Sequence, residues 1–387
     1  MRNRFGVIFL TVLIDLIGFG IVIPLLPFYA LSFGAKSYQI GLLVSSFSFM
    51  QFIFNPIWGR ISDKIGRRPV ILISVFGSFV SYLIFAFANS LFVLFLSRML
   101  AGLMGANIAT AQAYIADITP PEERAKGMGI VGAGFGIGFV VGPFIGGILS
   151  KFGYNVPILF ASGLSLLNFI LAYKFLPEPK GHKYGVYRSN YGDSVFEIAR
   201  DKILLFLYFT FFVITFGISI NYVVFPLFTK DMFDFDASHN GLLFGYIGMI
   251  GVLTQGYLVG KLTKKFKEEK ILVAGTFFMG LGLLGMVFSV HFSQFLIFAT
   301  FFTFGSGITT PSVLSLISRQ ARAEIQGVTL GFGQSLSSLA RVFGPSTGGF
   351  FYGNFGHKSP FILGAMAMSL SFLLAIGIYN RKNSKSR

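Results

Sequence analysis

Trp58-Gly59-Arg60-Ile61-Ser62-Asp63-Lys64-Ile65-Gly66-Arg67-Arg68-Pro69 is a knot of charge set between two long apolar runs. Five of these residues are ionised, whereas the twenty before and the twenty after carry no charged side chain. Such a pattern reads as a short, tight turn joining two membrane-crossing helices, with its bases on the cytoplasmic side.

The rest of the chain agrees. Of 387 residues, 54% are hydrophobic and 12% charged, and the mean hydropathy is +0.73. Those values describe an integral membrane protein. With no cysteine, disulfides, thiolate nucleophiles and cysteine-ligated metals are excluded. Met1 to Arg4 followed by an apolar run resembles a secretory signal. However, Phe5 to Tyr29 is too long, holds Asp15, Pro24 and Pro27, and shows no small-residue cleavage site, so it reads as a retained helix.

At about 20 residues per crossing, twelve spans emerge: 6–29, 39–58, 70–89, 91–115, 125–149, 157–176, 203–228, 240–259, 271–290, 294–318, 326–350 and 360–380. The bases cluster in alternate loops, and the opposite loops hold only Lys36, Lys151, Lys230 and Lys358. The net charge of +16 is therefore a topology signal that puts both termini in the cytoplasm, and nucleic acid is not an expected partner.

One long polar stretch, 177–202, separates a first six-helix bundle (1–176) from a second (203–387). Gly142-Pro143 recurs as Gly344-Pro345 and Pro24 as Pro226, both at an offset of 202 residues; the turn at Gly59 recurs at Gly260 at an offset of 201. The fold class expected is an all-α membrane protein of twelve transmembrane helices in two parallel six-helix repeats, an architecture used by secondary transporters.

Asp15 is the only carboxylate inside a span. Burial there favours a group that takes up and releases a proton; the plainer alternative is an acid that caps or pairs near a helix end. Arg98, deep in span four, needs a cavity or a partner, either as a structural tether or as a coupling partner of Asp15. Arg341 has no acidic partner in the sequence and reads as an outer-mouth residue or a second cavity charge. In span five, Gly134, Gly138, Gly142 and Gly146 recur every fourth residue beside Gly147, and Pro143 interrupts the backbone bonding. The stripe admits another helix to backbone contact, either for plain packing or for a contact that seals and releases. Asn55, Asn107, Gln112, Asn221, Tyr222, Gln255 and Gln334 are the candidate cavity residues, with Phe47, Phe216 and Tyr246 as aromatic surfaces. In the opening turn, Gly59 and Gly66 allow tight geometry and Lys64, Arg67 and Arg68 anchor the face. Asp63 is an acid held among bases, suited to the positive start of a helix near Gln326 and Gly327.

Gly59-x-x-x-Asp63-Lys64-x-Gly66-Arg67-Arg68 resembles the signature between helices two and three of the major facilitator superfamily. Arg98 with Gly102 and Gly105 is similar to its helix-four motif, and Gly138-x-x-x-Gly142-Pro143-x-x-Gly146-Gly147 to the motif of its antiporters. Asp15 with Pro24-Leu25-Leu26-Pro27, Ala113 to Thr119, and Ser318-Arg319-Gln320 with Gln326-Gly327 resemble stretches of the tetracycline and multidrug efflux group. The resemblance implies two bundles rocking about a cavity, drug leaving as protons enter. It also implies a cytoplasmic latch in which Asp63 docks on helix eleven and Arg67 or Arg68 engages Asp117. Two features depart from tetracycline pumps: Leu242 to Leu258 and Ile271 to Val290 hold no acid, histidine, lysine or arginine, and Lys264 stands where the first half has Asp63.

The expected function is proton-coupled efflux of small amphipathic compounds, with an uncoupled or lipid or metabolite carrier, or a non-transporting receptor, as alternatives. No enzyme is expected, because no metal or nucleophile constellation forms around the four histidines. The proton is the expected coupling ion, and no cofactor is expected. The expected partners are a small-molecule substrate and the bilayer of a bacterial inner membrane, around a monomer.

Overall fold

The computed structural model describes residues 2–105, 107–119, 124–179, 200–321 and 326–384; among these, the side chains of 2–4, 107, 124–131, 326–327 and 382–384 are not described. The linker stretch Gly181 to Arg188 and the side chains of Asn107 and Gln326 thus lie outside the described residues.

In hydrocarbon a backbone must satisfy its own hydrogen bonds, so apolar runs of this length become helices. They are α1 (Arg2–Ser32), α2 (Ser37–Ile65), α3 (Arg67–Ala86), α4 (Leu91–Met104), α5 (Asn107–Ile118), α6 (Arg124–Leu149) and α7 (Asn155–Phe175). After the linker come α8 (Lys202–Phe233), α9 (Ala237–Leu253), α10 (Val259–Lys265), α11 (Glu268–Phe288), α12 (Phe292–Gln320), α13 (Gln326–Phe355) and α14 (Ser359–Ser384). Among the described residues, eleven stretches are long and apolar enough to cross a membrane, the pairs α4–α5 and α9–α10 each forming one. The 30-residue α13 is not among them; it carries Arg341 and many serines and glycines.

The described residues fall into two compact units, one within 1–187 together with 234–248, the other within 188–233 together with 249–387. Residues 234–248, part of the second bundle by sequence, pack within the first unit. In the first, α1 packs on α6 and α7, α3 on α7 and α4, and α2 on α4. The second repeats the scheme: α8 packs on α13 and α14, and α11 on α12 and α14.

Two local features depart from a plain span. Span four breaks at Gly105 into α4 and α5. The carbonyls released there find side-chain donors on neighbouring helices: Trp58 Nε1 donates to Leu103 O (2.7 Å), Ser74 Oγ to Met104 O (2.6 Å) and Gln51 Nε2 to Gly105 O (3.4 Å). A break inside a membrane persists only when its polar groups are answered in this way. The second feature is a π-helical turn at Thr254–Leu258 between α9 and α10; such turns cluster at functional sites.

The opening turn is shorter than its sequence suggests. Helix α2 runs through Gly59 to Ile65, and a β-carbon on Gly59 would meet nothing within 4 Å. The expected tightness at Gly59 is therefore absent, because the reversal is made by Gly66 alone, at φ +103°.

Candidate functional site

Asp15 lies midway along α1, half-buried, and accepts a hydrogen bond from Ser78 Oγ of α3 at 3.4 Å. One turn further along α3, the Tyr82 ring packs against Gly18 of α1. Its phenol is within electrostatic reach of both the Asp15 carboxylate and the Arg98 guanidinium. Arg98 itself is only 2% exposed. It meets aromatic faces rather than an acid: Phe85 at 4.9 Å, Phe47 and Tyr82 at 5.9 Å each. Its Nε and Nη2 have no hydrogen-bond partner among the described residues. Cation–π attraction is strongest where water is excluded, so three rings offset part of the desolvation cost.

The glycine stripe of α6 faces this group from the other side of α1. A β-carbon on Gly138 would lie 2.7 Å from Leu16 Cβ, and one on Gly142 2.6 Å from the Ile17 carbonyl. Gly134 faces Val12 and Leu16, and Gly146 faces Ile21. Helix α6 therefore touches the α1 backbone on either side of Asp15's turn. Gly147 does the same against Gly241 of α9. In the second unit Gly344 abuts Phe216 to Ile220 of α8, the counterpart of the Gly142 contact at the offset of 202.

At the basic face of the first unit, Arg67 is the hub. Its guanidinium reaches Asp63 Oδ1 (2.6 Å), Asp117 Oδ2 (2.9 Å) and Ser62 Oγ (2.5 Å). Glu178, just past α7, accepts the backbone N–H groups of Arg67 (2.6 Å) and Arg68 (2.9 Å). A carboxylate at a helix N-terminus answers donors that would otherwise be orphaned and meets the positive end of the helix dipole. Arg68 Nε and Nη2 donate in turn to the carbonyls of Leu176 and Tyr173, both at 2.7 Å, and Tyr114 Oη donates to Pro177 O at 2.7 Å. Lys64 stays exposed.

A family model, Major Facilitator Superfamily, matches residues 8–345 and 259–387. The chain belongs to the major facilitator superfamily. Among curated relatives, the class C tetracycline resistance protein of Escherichia coli is 33% identical over 351 residues, covering 89% of this chain and 88% of that protein. Multidrug resistance protein 2 of Bacillus subtilis is 28% identical, covering 99% and 96%. Among solved structures, the human organic anion transporter MFSD10 (TETRAN) aligns over 97% of this chain and 99% of its own, with TM-score 0.75 and 24% identity. The D-xylose–proton symporter aligns over 97% of each chain, with TM-score 0.79 and 15% identity.

For this superfamily member, the second unit supplies a contact that sequence reasoning did not find. Glu268, at the start of α11, pairs with Arg319 at the end of α12 (3.2 Å) and accepts from Ser315 Oγ (2.7 Å). Glu268 stands at the offset of 201 from Arg67, and Arg319 at 202 from Asp117. Both units thus close the same corner with an ion pair, and the signs are reversed. The signal was present in the repeat offset, once applied to charges instead of glycines and prolines. Tyr82, Ser78 and Glu178 were also missed; neither tyrosine nor serine stands out in an apolar helix, and Glu178 lay in the stretch read as linker.

The candidate cavity residues scatter. Gln112, Gln255 and Gln334 are exposed, and Gln255 sits on the π turn. Among the described residues, Asn55 Oδ1 and Asn221 Oδ1 are buried without a hydrogen-bond partner, although Asn221 Nδ2 donates to Gly217 O at 2.9 Å. Arg341 donates to Ser337 Oγ (2.6 Å) and Ser338 Oγ (3.1 Å) of its own helix, within electrostatic reach of Tyr222. These two serines anchor a cation that has no acidic partner among the described residues.

Proposed function

We propose that this chain is a proton-coupled exporter of small amphipathic compounds, working by alternating access, with Asp15 as the proton carrier. The observation that carries the reading is the setting of Asp15: a carboxylate midway along α1, bonded to Ser78 and within electrostatic reach of Tyr82, whose phenol is also within reach of the buried cation Arg98. Adding a proton to it removes a charge from a half-buried position within a membrane-crossing helix, which biases a conformational equilibrium by the difference in solvation between the two states. The names of the relatives, tetracycline resistance and multidrug resistance, support efflux as its direction. Since no acid lies within α9 or along α11 beyond its first turn, coupling rests on Asp15. Tetracycline itself is not the expected cargo.

Substrate handling is assigned to Asn55, Asn107 and Gln112 of the first unit and Asn221, Tyr222, Gln255, Gln334 and Arg341 of the second. Asp63, Arg67, Arg68 and Asp117 form the latch on the cytoplasmic side of a bacterial inner membrane, in a monomer with both termini inside. The test is a panel of amphipathic dyes in energised inverted vesicles, with and without a collapsed pH gradient. Efflux that follows the gradient in the wild type and loses that dependence in Asp15→Asn is expected. Gradient-driven efflux at full rate in Asp15→Asn would overturn the assignment.

A further inference from the structure

The second unit has a groove on its outer surface that the transport reading does not use. It lies between α11 and α14, with a volume of about 330 Å³, walled by Val273, Ala274, Phe277 and Phe278 of α11 and by Phe372 of α14. Its wall on α11 follows the spacing 270, 273, 274, 277, 278, one helix face that descends about 12 Å from Lys270. At its upper end it joins a second hollow of about 290 Å³ lined by Lys265, Phe266 and Lys267. Lys270 and Tyr379 line both, so the two are one continuous surface; the Lys270 Nζ stands 6.0 Å from the centre of the Tyr379 ring.

The charge at the upper end is of one sign. Lys265, Lys267 and Lys270 are all exposed. The acids nearest in sequence, Glu268 and Glu269, are buried at 9% and 7% exposure, and Glu268 is occupied by Arg319 and Ser315. Among the described residues, no carboxylate lines either hollow. The lysines sit where 237–265 and 268–288 meet, two stretches each long and apolar enough to cross a membrane, and the junction of two such spans falls at the level of lipid headgroups. Three ammonium groups at that level, above a concave apolar wall running into the hydrocarbon, match one class of molecule in both charge and polarity.

We propose that this groove is a binding site for an anionic phospholipid, its phosphate held by Lys267 and Lys270 with Tyr379 and its acyl chain laid along Val273, Phe277 and Phe372. Basic pockets between helices at the membrane surface recognise such headgroups, and the aromatic wall adds contact that a soluble phosphate cannot use. Because each lysine near the surface is worth roughly a fivefold change in binding, loss of two is expected to reduce selectivity by more than about tenfold.

The experiment uses the purified full-length protein in mixed micelles holding equal amounts of phosphatidylglycerol and phosphatidylcholine, with bound lipid counted by native mass spectrometry. The wild type should retain phosphatidylglycerol preferentially. Lys267→Gln/Lys270→Gln should bind the two lipids alike, whereas Lys230→Gln/Lys358→Gln, which removes as much charge elsewhere, should keep the preference. Ala274→Phe, which fills the groove and leaves the lysines in place, should also lower retention. A wild type without preference, or a preference that survives Lys267→Gln/Lys270→Gln, would overturn the proposal. Displacement of phosphatidylglycerol by inorganic phosphate at equal concentration would overturn the role of the apolar wall.

Discussion

Gly66 and Glu178 are matched to each other: a β-carbon on Gly66 would lie 2.7 Å from the Glu178 Oε1 that accepts the Arg67 amide. Gly66 also holds φ at +103°, a region that L side chains rarely adopt. Gly66→Ala should therefore cost about 1–2 kcal/mol from backbone strain alone, with a further steric part. In a Glu178→Ala background the steric part disappears, so the two substitutions should couple by about 0.5 kcal/mol or more. Thermal unfolding in detergent of the two singles and the double measures it; strict additivity would show that the contact carries no energy.

The reversed ion pairs yield a swap experiment. Glu268→Arg or Arg319→Glu alone sets like charges together, and each should lower the thermal midpoint. The double Glu268→Arg/Arg319→Glu should recover most of the loss, since Ser315 can accept as well as donate. The equivalent double Arg67→Glu/Asp117→Arg should recover much less, because Arg67 also serves Asp63 and Ser62. The effects are modest, about 0.2–1 kcal/mol per pair, because Arg319 and Asp117 remain partly exposed.

Glycines of α6 separate into contacts and bystanders. Gly138→Ala and Gly142→Ala drive a methyl group into the α1 backbone beside Asp15 and should cost about 1–3 kcal/mol and reduce efflux. Gly132→Ala, where nothing lies within 4 Å, should be neutral or slightly stabilising through helix propensity. Vesicle efflux and thermal midpoint for all three variants distinguish a specific contact from a general dislike of alanine.

Asp236, just before α9, provides a pH-dependent element outside the membrane. Burial alone would raise its carboxyl, but the His239 backbone N–H and ring, with the Ser238 amide, outweigh it and hold the group below the usual carboxylate value. A lowered folded value means stability that is fully present above the unfolded value near 3.8 and is lost as pH falls through the folded one. Asp236→Asn should keep much of the helix cap to His239 and flatten the acid limb of a stability-against-pH curve. An unchanged acid limb would remove Asp236 from the account.

What was legible in the sequence was whatever repeats along the chain. Apolar runs marked eleven of the twelve expected spans, because lipid dictates helices, and the offset between Pro143 and Pro345 marked matching landmarks in the two halves, while the packing of 234–248 within the first unit was not visible in it. Asp15 and Arg98 stood out because charge inside a span is rare. What escaped depends on which faces meet. Nothing local marks Gly66 as the residue facing Glu178, more than a hundred positions away, or Tyr82 as the ring shared by two charges. The break at Gly105 was invisible for the same reason: it is tolerated only because Trp58, Ser74 and Gln51 happen to face its carbonyls.

The aromatic seat of Arg98 has an electrical consequence. Phe85, Phe47 and Tyr82 hold the cation without neutralising it, so on the proposed reading the charges of Asp15 and Arg98 sum to zero when Asp15 is ionised and to +1 when Asp15 carries a proton. A unit charge crossing the whole membrane field changes in energy by about 2.3 kcal/mol per 100 mV. For a neutral cargo, the proposed coupling makes the proton-loaded transition the voltage-sensitive one and leaves the drug-loaded return nearly blind to membrane potential.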